Sequence, residues 1–357
     1  MDATLRDRLA VDGASWNPET GQPIDFGDSA RELEVSLSTC ALAERSDLGR
    51  SLATGPDILD LLHRLTTADL ASLAPSDGKP AVLTTPKGRI VQRLFVHRLD
   101  TGTGVLMVSG PGGAERVRSH LDRYTFREEL GLTDAASAWT HLTVLGPRAR
   151  DAVAGAGLPT PDAWGSAPCR VEGVDLHVLG HDGLSEKGLS VLVPGPGAVE
   201  VWSRLATSVS QVGGGPVGDR ALEGWRVLRG LPENGTELTE DHNPLEAGLW
   251  DAVSFSKGCY IGQEVVARLN TYDKVTRDLR GLVFSGEPEP PARGTPLFAG
   301  SRRVGEVTSA LVPPGRRTTV ALGYVRREHS GAGTELVVGE DGAFRASVVE
   351  LPFAELS

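Results

Sequence analysis

The chain has 357 residues, of which 36 are Lys or Arg and 47 are Asp or Glu, so its formal net charge is −11. This length predicts two or three domains, and the negative net charge argues against a protein that binds nucleic acid directly. The chain has no run of about 18 apolar residues, and its N-terminus lacks the basic-then-apolar order of a signal peptide. These features predict a globular cytoplasmic protein with no membrane partner.

The sequence contains three cysteines, Cys40, Cys169 and Cys259, which lie far apart along the chain. An odd number of widely spaced cysteines suits a reducing compartment. It also excludes a disulfide scaffold and a CxxC metal site, so no metal is predicted. We therefore expect free thiols, and one of them lies in the most unusual segment of the chain.

The first 280 residues are predicted to form a short arm followed by an α+β body. Residues 1–30 are polar and rich in turn-forming residues, which predicts an irregular N-terminal arm. Apolar residues then recur at helical spacing in some segments and in short extended runs in others, which indicates a body at 31–280 made of two α+β subdomains. The predicted elements are, in chain order, a helix at 55–65, strands at 89–99 and 105–109, and helices at 110–126 and 198–209.

The C-terminal part, 281–357, has a different pattern. A proline-rich break at 285–294 is followed by segments such as VGEVTSALV and FRASVVEL, in which apolar and polar residues alternate. Alternation of this kind, with Gly-Pro turns between the segments, is typical of a small antiparallel barrel or sandwich. We therefore expect an all-β C-terminal domain.

The segment 256–264 has the sequence SKGCYIGQE, in which Cys259 follows Gly258 and lies two residues after Lys257. The glycine gives the backbone freedom, and the lysine supplies a positive charge that favours a thiolate. The alternative is that Cys259 is a small buried apolar residue in a glycine turn. No histidine can be placed beside it from the sequence, so both interpretations stay open.

The octapeptide KGCYIGQE resembles the signature of the YgfZ family of folate-binding proteins, relatives of the aminomethyltransferase (T-protein) of the glycine cleavage system. Other segments are similar to the same superfamily, namely NPLEAGLWDAVSF before the octapeptide, WRVLRGLP at 225–232, LTTPKGRIVQRLFV at 83–96 and GHDGLSEKGLSVLVP at 180–194. The resemblance implies a GcvT-like cloverleaf of three domains around a central folate-sized hole. It also implies a barrel as the C-terminal domain.

The same resemblance implies which residues form the site. The catalytic positions would be Cys259 and Lys257, within a signature loop that also contains Gly258, Tyr260, Gly262, Gln263 and Glu264. The cofactor contacts would come from Glu186, which matches the glutamate that grips the pterin ring, and from Arg226, Gln92 and Leu222. A carboxylate suits a pterin because it accepts two parallel hydrogen bonds from the amino group and the ring N–H.

Two positions depart from the T-protein pattern. T-proteins have an aspartate pair where this chain has Gln92 and Arg93, and an arginine where it has Leu222. Without a carboxylate at the first position, no group there can accept a proton or stabilise an iminium-like cation. We therefore expect folate binding without aminomethyl transfer.

The function implied is a protein that binds tetrahydrofolate or a one-carbon derivative and supports iron–sulfur cluster assembly or repair in client enzymes, including tRNA-modifying enzymes. Its partners would be folate and those clients or their assembly proteins, and it would not be a conventional turnover enzyme. A single thiolate cannot hold a cluster, so Cys259 would ligate iron transiently, carry sulfur or exchange thiols. The alternatives are a folate-dependent aminomethyltransferase or methyltransferase of the T-protein type, and a folate-free interaction module.

Overall fold

The computed structural model describes residues 4–100, 104–185, 187–286, 289–340, 342 and 344–353. Across these ranges the α-helices are α1 (Leu5–Val11), α2 (Ser29–Ser38), α3 (Ile58–Leu65), α4 (Gly113–Asp122), α5 (Ala149–Gly155), α6 (Ala198–Gln211), α7 (Asp219–Leu228) and α8 (Gln263–Thr271). None of these helices is both long and apolar enough to cross a membrane.

The strands form two sheets, a closed barrel and a two-stranded ribbon. They are β1 (Ser15–Trp16), β2 (Pro23–Asp25), β3 (Ala41–Glu44), β4 (Leu48–Thr54), β5 (Gly78–Thr84), β6 (Ile90–Arg98), β7 (Val105–Pro111), β8 (Gly131–Asp134), β9 (Trp139–Leu145), β10 (Ser166–Val171), β11 (Val174–Leu179), β12 (Leu189–Pro194), β13 (Gly215–Pro216), β14 (Arg277–Phe284), β15 (Pro296–Ala299), β16 (Arg302–Leu311), β17 (Val320–Arg326), β18 (Glu335–Val338) and β19 (Phe344–Val349).

The first sheet has the strand order β5-β6-β7-β4-β8, and α3 and α4 contribute to its core. Helix α3 buries Ile58, Leu61, Leu62 and Leu65, whose spacing gives one apolar face for the sheet. These observations confirm the helices predicted at 55–65 and 110–126 and the strands predicted at 89–99 and 105–109, with ends that differ by a few residues.

The second sheet has the strand order β10-β11-β12-β9-β3-β13, and α5 and α6 pack into its core around the fully buried Trp202. A further apolar cluster joins residues of the two sheets, Phe95 and Val108 from the first and Leu179 and Leu192 from the second. The two sheets are therefore packed against each other through this cluster.

The C-terminal strands form a closed six-stranded barrel in the order β14-β17-β16-β15-β18-β19. Strand β14 pairs with both β17 and β19, which closes the barrel and leaves no free edge. The α+β body followed by an all-β barrel confirms the predicted fold class. The boundary predicted at 281 differs from the structure, because it falls inside β14, and the proline-rich stretch at 285–294 connects β14 to β15 within the barrel.

The N-terminal segment also differs from the irregular arm that was predicted. Helix α1 begins with a capping box between Thr4 and Asp7, and its Leu9 is 2% exposed in the core of the second sheet. Trp202 Nε1 donates a hydrogen bond to a carboxylate oxygen of Asp12 at 2.8 Å. A few anchored residues therefore order a segment whose overall composition is polar.

Candidate functional site

A cavity of about 400 Å³ lies where the two sheets and the barrel meet. All three parts contribute to its lining, with Arg93 and Phe95 from β6, Trp164 and Ser185 from the second-sheet region, and Leu279 and Arg280 from β14. The segments 229–232 and 247–252 complete the wall. Small-molecule sites commonly occupy such junctions between domains, so this central cavity is the candidate ligand site.

The deep wall of the central cavity is aromatic and carries a buried arginine. The rings of Phe95 and Trp164 stack with centroids 5.2 Å apart, and His181 packs against Phe95 at 4.7 Å. The guanidinium of Arg93 lies 4.7 Å from the centroid of the Phe95 ring, and its Nη2 donates to the carbonyl of Leu184. Flat rings beside a cation suit a heterocycle that can stack and accept hydrogen bonds.

Successive residues of β6 face opposite sides of the sheet, which separates Gln92 from Arg93. Gln92 is 3% exposed, and its Nε2 lies 2.6 Å from the point that a Cβ on Gly113 would occupy, at the start of α4. Gln92 therefore lies outside the lining of the central cavity, whereas Arg93 lines it.

Glu186 lies outside the described residues, but the turn that precedes it borders the central cavity. Leu184 and Ser185 line the cavity, and Asp182 fixes them by accepting hydrogen bonds from both of their backbone amides and from the Ser185 hydroxyl. Burial raises the pKa of Asp182. Asp182 thus fixes the conformation of Leu184 and Ser185 beside the cavity.

Arg226 and Leu222 line a second cavity of about 260 Å³, not the central one. The guanidinium of Arg226 pairs with both carboxylate oxygens of Glu223, at 2.6 and 2.7 Å, and with Glu237 at 3.0 Å. It also donates to the hydroxyl of Ser309 in β16. Arg226 is therefore satisfied by protein groups, and the structure places it as a link between α7 and the barrel.

Lys257 holds the signature loop, 256–264, against the end of α3. Its Nζ donates to the backbone carbonyls of His63, Thr66 and Ala68, the last two at 2.8 and 2.7 Å. Burial lowers the pKa of Lys257 to about 8. The carbonyls at a helix C-terminus carry partial negative charge, which an ammonium group neutralises well. The lysine predicted to assist Cys259 is thus bonded to the helix end.

Further contacts fix the rest of the loop. The hydroxyl of Thr84 in β5 donates to the carbonyl of Ile261, and Tyr260 is 8% exposed with its ring 5.1 Å from the Lys257 ammonium nitrogen. Gly262 precedes α8 at φ 84°, and a Cβ there would lie 2.5 Å from the carbonyl oxygen of Thr85. Only glycine fits this close approach.

The remaining signature residues surround an exposed thiol. Gln263 accepts a hydrogen bond from the amide of Tyr260, and Glu264 is exposed in the first turn of α8. Cys259 is free and exposed, whereas Cys40 is buried. The structure therefore supports the interpretation of Cys259 as an accessible thiol. It excludes the alternative that Cys259 is a small buried apolar residue.

His63 is a neighbour of this loop that the sequence did not reveal. Its Nδ1 lies 3.3 and 3.2 Å from the backbone amide nitrogens of Leu70 and Ala71, and 3.3 Å from a carboxylate oxygen of Asp69. Nε2 lies 3.6 Å from the point that a Cβ on Gly258 would occupy. Burial and the nearby charge of Lys257 lower the pKa of His63. No spacing rule could have found it, because His63 and Lys257 are 194 positions apart.

Strand β5 connects the central cavity to the signature loop. Pro80 lines the cavity, and Thr84 of the same strand bonds the loop. Four residues of extended chain span about 13 Å. On the surface, the exposed rings of Trp250, at the cavity, and Phe255, before the loop, lie 6.3 Å apart.

The comparisons with known proteins agree with this architecture. Residues 6–257 match the GCVT N-terminal domain, and residues 277–355 match the glycine cleavage T-protein C-terminal barrel domain. A chloroplastic protein of Arabidopsis thaliana, provisionally named a transferase, is 28% identical over 99% of this chain and 80% of its own length. The aminomethyltransferase of Symbiobacterium thermophilum is 30% identical over 96% of this chain and 94% of its own.

A solved structure shows the same fold along nearly the whole chain. The crystal structure of the glycine cleavage system aminomethyltransferase T from Bartonella henselae superposes with a TM-score of 0.83 at 24% identity, covering 98% of this chain and 97% of that one. The GcvT-like arrangement of an α+β body and a C-terminal barrel is thus confirmed. Since the two domain matches together cover most of the sequence, the chain belongs to the glycine cleavage T-protein (GCVT) family.

Proposed function

We propose that this protein binds tetrahydrofolate, or a one-carbon derivative of it, and supports the assembly or repair of iron–sulfur clusters in client enzymes through Cys259. The observation that carries the proposal is an exposed cysteine on a loop that Lys257 and Thr84 hold in place. Burial raises the pKa of Cys40 to about 12 and that of Cys169 to about 11, so both stay protonated at neutral pH. Cys259 is the thiol that a partner can reach.

The central cavity supports the folate part of the proposal by its size and chemistry. Its volume of about 400 Å³ lies within the usual range for small-molecule sites. A pterin is a flat heterocycle, and the half-buried ring of Trp164, which stacks on Phe95 behind it, offers one flat face to it. Glu186 follows the cavity-lining Ser185 and remains the proposed hydrogen-bond partner of the pterin.

The chemistry of Cys259 requires a partner protein. One thiolate supplies a single ligand, and no group of three or more His, Cys, Asp or Glu side chains in the described part of the chain is placed to hold a metal ion. The cluster, or the sulfur, is therefore cargo that a client enzyme or assembly protein brings to the thiol. Lys257 would fix the position of the loop during that encounter.

The second candidate is a folate-dependent aminomethyltransferase or methyltransferase, because several relatives are named aminomethyltransferases. Arg93 argues against it. A guanidinium on the deep wall repels an iminium-like cation and cannot accept its proton at neutral pH. Among the described lining residues, the two carboxylates, Asp251 and Glu350, belong to exposed residues.

The composition supports a cytoplasmic role without direct nucleic-acid contact. All three cysteines are free, which suits a reducing compartment. The net charge of −11 disfavours a phosphate-binding surface. If tRNA-modifying enzymes are among the clients, those enzymes would make the RNA contacts.

The proposal is tested with Cys259→Ser in cells that lack their own copy of the protein. We expect this variant to lose the ability to sustain the iron–sulfur enzymes that depend on the protein, because the thiol is gone. Calorimetric titration of the purified variant with tetrahydrofolate should give the wild-type affinity, because Cys259 does not line the cavity. Cys169→Ser is the matched control and should sustain those enzymes fully.

Three results would contradict the proposal in different ways. Full iron–sulfur enzyme activity with Cys259→Ser would remove the thiol from the mechanism. Absence of tetrahydrofolate binding by the wild-type protein would remove the folate and favour an interaction module. Formation of methylenetetrahydrofolate from an aminomethyl donor by the purified wild-type protein would establish the transferase instead.

A further inference from the structure

Exposed aromatic side chains flank the signature loop. Phe255 lies four residues before Cys259 and is 45% exposed. Trp250 is 47% exposed, and the centroid of its ring lies 6.3 Å from that of Phe255. Tyr272, at the end of the helix that the loop begins, is 65% exposed. Large apolar groups that are exposed together mark contact sites for other proteins, whereas scattered ones do not.

A fourth exposed ring belongs to the turn after α4. Phe126 is 83% exposed, and its amide donates to a carboxylate oxygen of Glu128 at 2.8 Å. The other carboxylate oxygen of Glu128 accepts from Nη2 of Arg64 at 2.9 Å. The backbone carbonyl of Arg64 in turn accepts from the amide of Ile261, within the signature loop, at 3.1 Å. These consecutive bonds tie the turn of Phe126 to the loop.

The four rings form a set, which we call the aromatic patch: Phe126, Trp250, Phe255 and Tyr272. They are four of the seven large apolar side chains that are exposed in the described part of the chain. The other three lie in separate elements, namely Val11 in α1, Val312 after β16 and Phe344 in β19. Exposure of large apolar groups is thus concentrated around the thiol, where a contact that buried one ring would gain about 1.5–3 kcal/mol.

The charges around the aromatic patch are mainly negative. The segments 57–72 and 250–264 contain five carboxylates and two cations, so their formal sum is −3. Both cations are already engaged, because Arg64 pairs with two carboxylates and Lys257 bonds backbone carbonyls. The carboxylates of Asp69 and Glu264 stay accessible to solvent. A surface that carries lysine or arginine therefore complements this one.

We propose that the aromatic patch is the docking surface for the protein that brings iron or sulfur to Cys259, and that this protein presents an apolar pocket with a basic rim. The inference rests on the proposed function of Cys259. Because Lys257 and Thr84 bond the loop to the body, the thiol cannot extend far toward a partner. A protein that reaches the thiol must therefore cover the residues beside it. Buried aromatic side chains are common anchors of such contacts.

The test removes two rings of the aromatic patch and leaves Trp250 unchanged, because Trp250 also lines the central cavity. Phe126→Ser combined with Phe255→Ser is expressed at the wild-type level in cells that lack their own copy of the protein. We expect the activity of the dependent iron–sulfur enzymes to fall at least about fivefold, because loss of each anchor weakens docking about tenfold or more. Alkylation of Cys259 by iodoacetamide in the purified variant, followed by mass spectrometry, should keep its wild-type rate within about twofold, because a small reagent needs no docking surface.

Matched variants separate docking from damage to the fold. Phe126→Tyr combined with Phe255→Tyr keeps both rings and should sustain the enzymes. Phe344→Ser removes an exposed ring outside the aromatic patch and should sustain them as well. For the basic rim, Glu264→Lys should lower the enzyme activities about twofold, whereas Glu200→Lys, the same charge reversal on the exposed side of α6, should leave them unchanged.

The outcomes distinguish this inference from the proposed function. Full enzyme activity with the double serine variant, while Cys259→Ser is inactive, would overturn the docking surface and leave the role of the thiol intact. A slowed alkylation of Cys259, or an equal loss in the double tyrosine variant, would also overturn it, because the rings would then act on the loop itself. Unchanged activity with Glu264→Lys would overturn the basic rim. Full activity with Cys259→Ser would contradict the proposed function.

Discussion

Lys257 shows how one side chain determines where the cysteine is presented. Its ammonium group bonds the carbonyls of three residues at and after the end of α3, and burial lowers its pKa to about 8. These carbonyls have lost their helical partners, so a cation that bonds all three stabilises both the helix end and the loop. The sequence indicated that Lys257 acts on the thiol through its charge, whereas the observed bonds give it a positioning role.

Replacement of this lysine tests that role. In Lys257→Met the three carbonyls lose their donor, so we expect backbone amides of the signature loop to exchange faster with deuterium and the free energy of unfolding to fall by about 1–3 kcal/mol. Mass-spectrometric hydrogen exchange and urea unfolding measure these effects. Lys274→Met, at an exposed lysine beside Tyr272, is the control. Unchanged exchange in the loop of Lys257→Met would contradict the positioning role.

The signature cysteine could be found from the sequence because its distinctive neighbours are contiguous with it. The other neighbours of Cys259 could not be found from the sequence, because they belong to distant segments of the chain. His63 approaches Gly258 only after α3 packs on the first sheet, and the hydroxyl of Thr84 reaches Ile261 from β5. Whether Gln92 or Arg93 lines the central cavity likewise depends on which face of β6 borders that cavity.

Helix α7 connects the body to the barrel through a buried charge cluster. Arg226 bonds Glu237, whose side chain is 0% exposed, and both bond the hydroxyl of Ser309 in β16. Glu223 adds a bidentate pair, but half of its side chain is exposed. The contact between α7 and the barrel therefore depends on Arg226, whose positive charge compensates the fully buried carboxylate of Glu237.

Removal of the Arg226 guanidinium should destabilise the folded protein. Arg226→Ala leaves Glu237 buried and unpaired, so we expect the free energy of unfolding to fall by about 3–5 kcal/mol in urea titrations. Arg220→Ala, on the same helix, removes an exposed arginine paired with Asp25 at 3.2 Å and should cost no more than about 1 kcal/mol. Similar losses for the two variants would show that the buried cluster does not stabilise the junction.

Most of the secondary structure could be predicted from local patterns, but the domain limits could not. The apolar face of α3 and the apolar run of β6, which polar residues interrupt, are local signals, and both elements were predicted within a few residues. The boundary at 281 missed the start of β14, because membership in the barrel depends on pairing with β17 and β19, far along the chain. The proline-rich stretch at 285–294 is typical of a linker and equally typical of a barrel connection.

The interface between the two sheets makes stability depend on pH. His97, His141 and His181 are each 0% exposed, and burial lowers the pKa of all three, to about 3 for His97. The charges of Arg50 and Arg93 act in the same direction on His141 and His181, respectively. The unfolded chain protonates these rings near pH 6.5, whereas the folded chain keeps them neutral.

Acid should therefore unfold the protein more easily. Between pH 7.5 and pH 5.0 the unfolded state takes up protons that the folded state does not, so stability present above pH 6.5 is lost as the pH falls, by about 2 kcal/mol per histidine. Urea unfolding at the two pH values measures the loss. His141→Leu should reduce it by about 2 kcal/mol, and His329→Gln, at a histidine outside this interface, should leave it unchanged. If His141→Leu lost as much free energy of unfolding between pH 7.5 and pH 5.0 as the wild-type protein does, the result would contradict this assignment.

Strand β5 touches the cavity at Pro80 and the signature loop at Thr84, and these contact points lie about 13 Å apart. A strand that is paired with β6 along its length neither stretches nor bends easily. It therefore acts as a rigid spacer between the proposed folate site and the signature loop. For the same reason, a ligand that displaced the strand at Pro80 would also displace the part of the loop that is bonded to Thr84.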